Sequence, residues 1–200
     1  GILPAALRDG EAYKPDWADW PHTERLQVAK SLLARAGYGT KNPLRFEISF
    51  NSSSEHRKAA VAMATMWRAL GVEASLLNSE ASLHFDRLKR ADFALGRSGW
   101  IADLPAPENF LNVHRANAGV QNYSGYNNPR YEAAMDAALS EPEPQKRLES
   151  MRSAEEKLID DAPILPLYFY TSRALVSPAV TGWQDNAGNV HPSRTLGLQR

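Results

Sequence analysis

Cysteine is absent from all 200 residues. That excludes a disulfide framework, a thiolate metal site and a cysteine nucleophile in this chain. Charge of one sign is missing as well, since 23 Lys and Arg balance 23 Asp and Glu. No net field is therefore available to recruit nucleic acid or an anionic lipid surface, and nucleic acid is not an expected partner. No apolar run approaches the roughly 18–20 residues of a membrane-spanning helix. Residues 1–30 lack a basic start followed by an apolar core, so an export signal, if one exists, lies outside this chain. Internal repeats, low-complexity tracts, phosphate loops, nucleophile elbows and metal-spaced His pairs are also lacking.

What remains is an ordinary globular composition, 43% hydrophobic and 23% charged. At this length roughly 70% of the unfolded chain's surface can be buried, so a core is affordable on size alone. The first 21 residues carry Pro4, Gly10, Pro15 and Pro21 among Tyr13, Trp17 and Trp20, which argues against a regular element. From Thr23, a candidate N-cap, Leu26, Ala29, Leu32, Leu33 and Ala36 recur at helical spacing until Gly37. Leu44 to Phe50 alternates with period two and reads as a strand. Ser54 then suits the cap of a helix running to Leu70, where Gly71 stops it.

Val72–Leu77 reads as a second strand, Ser79–Arg90 as an amphipathic helix and Phe93–Arg97 as a third strand. This alternation predicts an α/β fold with a mixed, largely parallel sheet flanked by helices. Ligands collect beyond the carboxyl ends of strands in such sheets, so Asn51–His56 and Ser98–Asp103 are expected to open on one rim. Helices are predicted over Arg130–Leu139 and from Pro142 and Pro144 to Asp161, the latter burying Leu148, Met151, Ala154, Leu158 and Ile159. Two further strands are expected, centred on Leu167–Thr171 and Ala174–Val176.

The chemistry concentrates in DFALGRSGWIADLPAPENFL, residues 92–111. Trp100 and Asp103 place an aromatic ring beside a carboxylate at a strand end, an arrangement suited to a small cation such as a primary ammonium. Gly96 and Gly99 allow another backbone to approach. The same residues also suit a plainly structural role, with Trp100 in the core and Asp103 capping a helix that starts near Pro107.

GRSGWIADLPAPENFL resembles the corresponding stretch of the periplasmic oligopeptide-binding proteins, extracellular solute-binding receptors (family 5) of peptide ABC transporters. The family pattern R-x-G-W-x-A-D-x-x-x-P, followed by Phe-Leu-Asn, is matched by Arg97, Gly99, Trp100, Ala102, Asp103, Phe110, Leu111 and Asn112. Further matches are Ala36-Gly37-Tyr38, Tyr126-Asn127-Asn128-Pro129 and the Ala162–Tyr170 run APILPLYFY. The resemblance runs almost end to end but covers only the C-terminal part of the family's proteins.

It implies a lobe of a type II periplasmic binding protein, a non-enzymatic receptor for short peptides that needs no cofactor. Its expected partners are an N-terminal lobe, on the same or a separate chain, and the membrane permease of an ABC transporter. Its location is periplasmic or lipid-anchored outside the cytoplasm. Residues 1–171 are the expected C-terminal lobe and 172–200 a tail crossing to the N-terminal lobe, leaving Leu175, Val176, Val180 and Trp183 with exposed apolar surface. Asp103 would take a peptide's ammonium, and His56, in NSSSEHRK, would help meet its terminal carboxylate.

Arg97 suits either that carboxylate or a role holding Asp103. Asn51 serves peptide backbone or shapes its turn, and Tyr170 lines the cleft or belongs to the core. Arg87, Lys89 and Arg90 fit a solvated helix face. Rival readings are a murein tripeptide, dipeptide or nickel-complex receptor of the same fold, the ligand-sensing domain of a transcription regulator, or an enzyme using Asp103 with Glu108 or His56.

Overall fold

A computed structural model describes residues 1–200 except Asp9, Ala187 and Arg200. Part of the expected tail thus lies outside the described residues. The alternating run forms β1 (Leu44–Asn51) and presents Phe46, Ile48 and Phe50 to Ala60, Met63, Ala64 and Trp67 of α2 (Ser54–Trp67). A 3-10 turn and Gly71, at φ +77°, end the helix and deliver the chain to β2 (Val72–Ser79). Glycine meets no Cβ penalty in that left-handed conformation.

Glu80 caps α3 (Ala81–Lys89) by accepting the N–H groups of Ser82 and Leu83. The chain then reaches β3 (Leu95–Gly96). β1 lies between the other two, parallel to both, in the order β2-β1-β3. The register pairs Leu44 with Val72, Asn51 with Ser79 and Ile48 with Leu95. The carboxyl ends of β1 and β3 consequently reach one rim. α3 buries His84 and Leu88, and its Arg87 reaches Glu47 on the face of β1 opposite the α2-facing residues.

The element limits correct several expectations. The first helix, α1, spans His22–Arg35 with Pro21 at its N-cap, so Thr23 lies inside it. Ser53 rather than Ser54 stands at the N-cap of α2, in extended conformation and without a side-chain cap bond. α3 starts at Ala81 because Ser79 is still paired with Asn51 and Glu80 supplies the cap. The third strand is only two residues long. Asp92 is drawn to Arg87, and Ala91 takes a left-handed turn at φ +53° before the strand can start.

Three helices form the second half, each with proline in its first turn: α4 (Pro107–Leu111), α5 (Pro129–Ser140) and α6 (Pro144–Asp161). Proline fits there because its missing N–H has no intrahelical partner to lose. Their core joins Leu111, Tyr126, Tyr131, Met135, Ala138, Met151, Ala154 and Leu158 with Leu3 from the opening segment. Leu148 and Ile159 are half-buried, and Glu155 is buried beside them in sequence at 2% exposure. Its Oε1 accepts the N–H groups of Ile2 (2.5 Å) and Leu3 (2.9 Å), stitching the opening segment to α6. That segment contains two 3-10 turns, Ala5–Leu7 and Asp16–Asp19.

The strands expected at Leu167–Thr171 and Ala174–Val176 do not form. Their β-rich composition is suitable, but a ladder needs a neighbour, and the described residues place no strand beside them. Leu165, Leu167, Tyr168, Phe169 and Tyr170 are each about half exposed, and Leu175 fully so. Val176, Val180 and Trp183 are half-buried, Trp183 stacking on His191 at 3.7 Å. A small antiparallel pair, β4 (Val180–Thr181) with β5 (Gly197–Leu198), closes the chain.

Candidate functional site

Five of the residues singled out above meet at the rim. Asn51 ends β1, and His56 stands in the first turn of α2. Arg97 leaves β3 and is fixed by its main chain, its N–H donating to Ser49 O and its own O contacting His84 Nε2, both at 2.8 Å. His84 is 1% exposed and must donate to that carbonyl, which sets its tautomer.

The Arg97 guanidinium donates to Asn51 Oδ1 at 3.3 Å and lies 5.7 Å from the ring centre of Tyr170. His56 Nδ1 contacts Asn51 O and its Nε2 contacts the Tyr170 hydroxyl, both at 3.2 Å. A carbonyl only accepts, so Nδ1 carries the proton and Nε2 receives the phenol's. Gly99 lies against the same group, where a Cβ would come within 3.2 Å of Arg97 Nη2 and 3.3 Å of Tyr170 Cε2. Its lack of a side chain admits that approach. Tyr168 packs edge-to-face on Tyr170, with ring centres 5.7 Å apart.

Burial, and secondarily the nearby Arg97 charge, hold the His56 imidazole below the usual histidine range. It is therefore neutral at pH 7, leaving Arg97 as the cation of the group. Burial also lowers Arg97 from its ordinary value, though an arginine stays charged throughout the biological range.

Trp100 and Asp103 form a second pair, joined through one oxygen. Asn109 Oδ1, on α4, accepts the indole N–H of Trp100 at 3.0 Å and the main-chain N–H of Asp103 at 3.3 Å. Trp100 is half-buried, whereas Asp103 is exposed. The Asp103 side chain does not cap α4, whose N-cap is Ala106, and among the described residues it forms no ion pair. Arg97 is occupied by Asn51 and Tyr170 and does not hold Asp103. Glu108 pairs with Arg147, and Arg87 with Glu47 and Asp92. Residues 97–103 thus carry a guanidinium at one end and an unpaired carboxylate at the other.

Asn109, His84 and Ser49 are the contributors that sequence reasoning missed. Nothing in the spacing around Asn109 marks it, since a short polar residue in a first helical turn is unremarkable. The buried His84 lies on the same helical face as Leu88, which is the one available signal.

Residues 5–122 match the model of the bacterial extracellular solute-binding proteins, family 5 Middle. The chain is 32% identical over 184 residues to the periplasmic oligopeptide-binding protein OppA of Escherichia coli (strain K12), covering 92% of this chain and 34% of that protein. It is 35% identical over 170 residues to the periplasmic murein peptide-binding protein MppA of the same organism, covering 84% and 32%. Among solved structures, Burkholderia pseudomallei OppA superposes with a TM-score of 0.90 at 30% identity, over 100% of this chain and 40% of that one. Haemophilus influenzae OppA in complex with RPPGFSPFR gives 0.84 at 31%, over 94% and 37%. The chain spans about a third of the curated relatives it matches.

Proposed function

Because the chain belongs to the bacterial extracellular solute-binding proteins of family 5, we propose that it is the C-terminal lobe of a receptor for short peptides that feeds an ABC importer. Residues 1–171 form the lobe, and 172–200 cross to an N-terminal lobe carried on the same or a separate chain. The receptor works outside the cytoplasm, in the periplasm or on a lipid anchor, and hands its cargo to a membrane permease. It performs no chemistry on that cargo.

The observation that carries this reading is the pair of opposite charges on residues 97–103, beyond the carboxyl edge of the sheet. The Asp103 carboxylate is open to a ligand's ammonium, with Trp100 three residues before it in the chain. Arg97, flanked by the neutral His56 and by Asn51, suits a carboxylate, which a guanidinium takes in two parallel hydrogen bonds. Peptide main chain runs between these ends against strand and loop backbone, so side-chain identity matters little. Lobe closure desolvates the termini, where an unmatched buried charge costs about 3–5 kcal/mol. A single lobe supplies half of the cleft wall, so this chain alone binds weakly.

Calorimetry on the complete receptor tests the assignment. An ammonium about 3 Å from a carboxylate gains roughly 5 kcal/mol at an effective dielectric near 20, before desolvation is subtracted. Asp103→Ala is therefore expected to weaken a free-amine tripeptide by well over tenfold, and N-acetylation of the peptide to do the same in the unaltered receptor. Unchanged affinity in either arm refutes the assignment. A murein peptide is the alternative cargo, MppA being a relative of similar identity, and a side-by-side titration of murein tripeptide and ordinary tripeptides separates the two.

A further inference from the structure

We infer that Asn109 is a positioning residue for ligand binding: one side-chain oxygen sets both the ring and the carboxylate-bearing backbone of the proposed ammonium site. The inference rests on the peptide-receptor reading but adds a residue to it. Oδ1 has two lone pairs, and each is used, one by the Trp100 indole N–H at 3.0 Å and one by the Asp103 main-chain N–H at 3.3 Å. Both incoming groups are donors, which also fixes which end of the amide faces them.

Asn109 is itself anchored, its N–H donating to Ala106 O at 3.1 Å in the first turn of α4. Arg147 on α6 pairs with the neighbouring Glu108 and ties that short helix to the larger one. Ile101, between the two anchored donors, and Leu104, just after the second, are 83% and 64% exposed. Packing therefore does little to hold this loop, and the amide supplies the constraint. A loop held by its own apolar side chains would not need such a bridge.

The consequence is preorganisation. With Asn109 in place, the indole and the Asp103 backbone are already set relative to each other before a ligand arrives, so binding orders fewer groups. Without it, two donors lose their acceptor and the carboxylate can be presented in many orientations.

Four versions of the complete receptor test this: unaltered, Asp103→Ala, Asn109→Leu, which keeps volume but removes the acceptor, and Asn109→Asp, which keeps the acceptor. The probes are trialanine and N-acetyl-trialanine, and the second readout is solvent exchange of the Trp100 indole N–H by NMR. Asn109→Leu is expected to weaken trialanine by about tenfold, the scale of one or two lost hydrogen bonds. It should leave N-acetyl-trialanine little changed and speed indole exchange. Asn109→Asp should restore slow exchange and trialanine affinity.

A purely structural role would instead weaken both probes alike. If Asp103→Ala weakens trialanine while Asn109→Leu leaves it within twofold, the positioning role is refuted and the ammonium assignment stands. If Asp103→Ala itself has no effect, the ammonium assignment fails and the positioning role falls with it. Loss of folded signal in Asn109→Leu shifts the decision to Asn109→Asp, where fast indole exchange or affinity as low as that of Asp103→Ala refutes the inference.

Discussion

A methyl group added at Gly96 tests how the sheet and α3 together position the rim at the strand ends. A Cβ there would overlap Leu88 Cδ2 and come within 3.1 Å of the Phe93 ring. Leu88 is 1% exposed, so its methyl has no space to retreat into. Gly96 has no positive φ, and its conformation is open to alanine. The cost of Gly96→Ala is therefore steric. Reduced freedom of the unfolded chain favours the substitution by about 0.4–1 kcal/mol, while overpacking a buried contact opposes it by roughly 1–3 kcal/mol. The steric effect wins, and a net destabilisation of about 1–2 kcal/mol is expected by urea unfolding at unchanged m-value.

The double substitution makes this test specific. Leu88→Ala alone leaves a cavity and should cost about 2–5 kcal/mol. In Gly96→Ala/Leu88→Ala the new methyl enters that cavity, so the pair should be less damaging than the sum by at least about 1 kcal/mol. Function should follow the same pattern. α3 also carries His84, whose ring holds Arg97 O, so pushing the helix outward should weaken peptide binding in Gly96→Ala and restore it in the double variant. Additive energies, or a Gly96→Ala variant as stable as the parent, would refute the close approach of helix and strand.

Burial pushes His114 down to about 4. The folded state therefore binds its proton less readily than the unfolded state, near 6.5, and the stability this represents is intact above pH 6.5 and lost as pH falls toward 4. The shift corresponds to about 3 kcal/mol. Urea unfolding at pH 7.5, 5.5 and 4 should show that decline, and His114→Phe should remove it; equal slopes in both proteins would contradict the prediction. Glu155→Ala removes the acceptor of two main-chain N–H groups and should cost about 2–4 kcal/mol, with faster proteolysis within the opening segment. Glu155→Gln keeps an acceptor and should cost less.

The sheet was legible because its signals are local. Leu44–Phe50 alternates over seven residues, glycine marks helix ends at Gly37 and Gly71, and proline opens three helices. The convergence of Asn51, His56 and Arg97 followed from parallel topology. The cap expected at Ser54 missed by one residue within a run of serines, and that at Thr23 by two, because Pro21 already opens the helix. The absent strands near Leu167 and Ala174 mark a harder limit, since side-chain pattern reports suitability for a ladder and not the presence of a neighbour.

Glu155 was invisible for a related reason. A glutamate among helical charges reads as solvated, and the N–H groups that justify its burial lie about 150 residues away in sequence. Asn109 carried no pattern at all. Arg97 and Asp103 were readable as opposite charges near one turn, but the assignment of Asp103 to a peptide's ammonium, and of His56 to its terminal carboxylate, came from resemblance.

Tyr170 differs from the other groups around Arg97 in what supports it. Among the described residues, no main-chain hydrogen bond holds the stretch from Leu165 to Tyr170, while Asn51, His56 and Arg97 are seated on the sheet and its first helical turn. The phenol therefore reaches this group through side-chain contacts alone, its hydroxyl on the His56 ring and its face toward Arg97, while the groups it rests on belong to the frame.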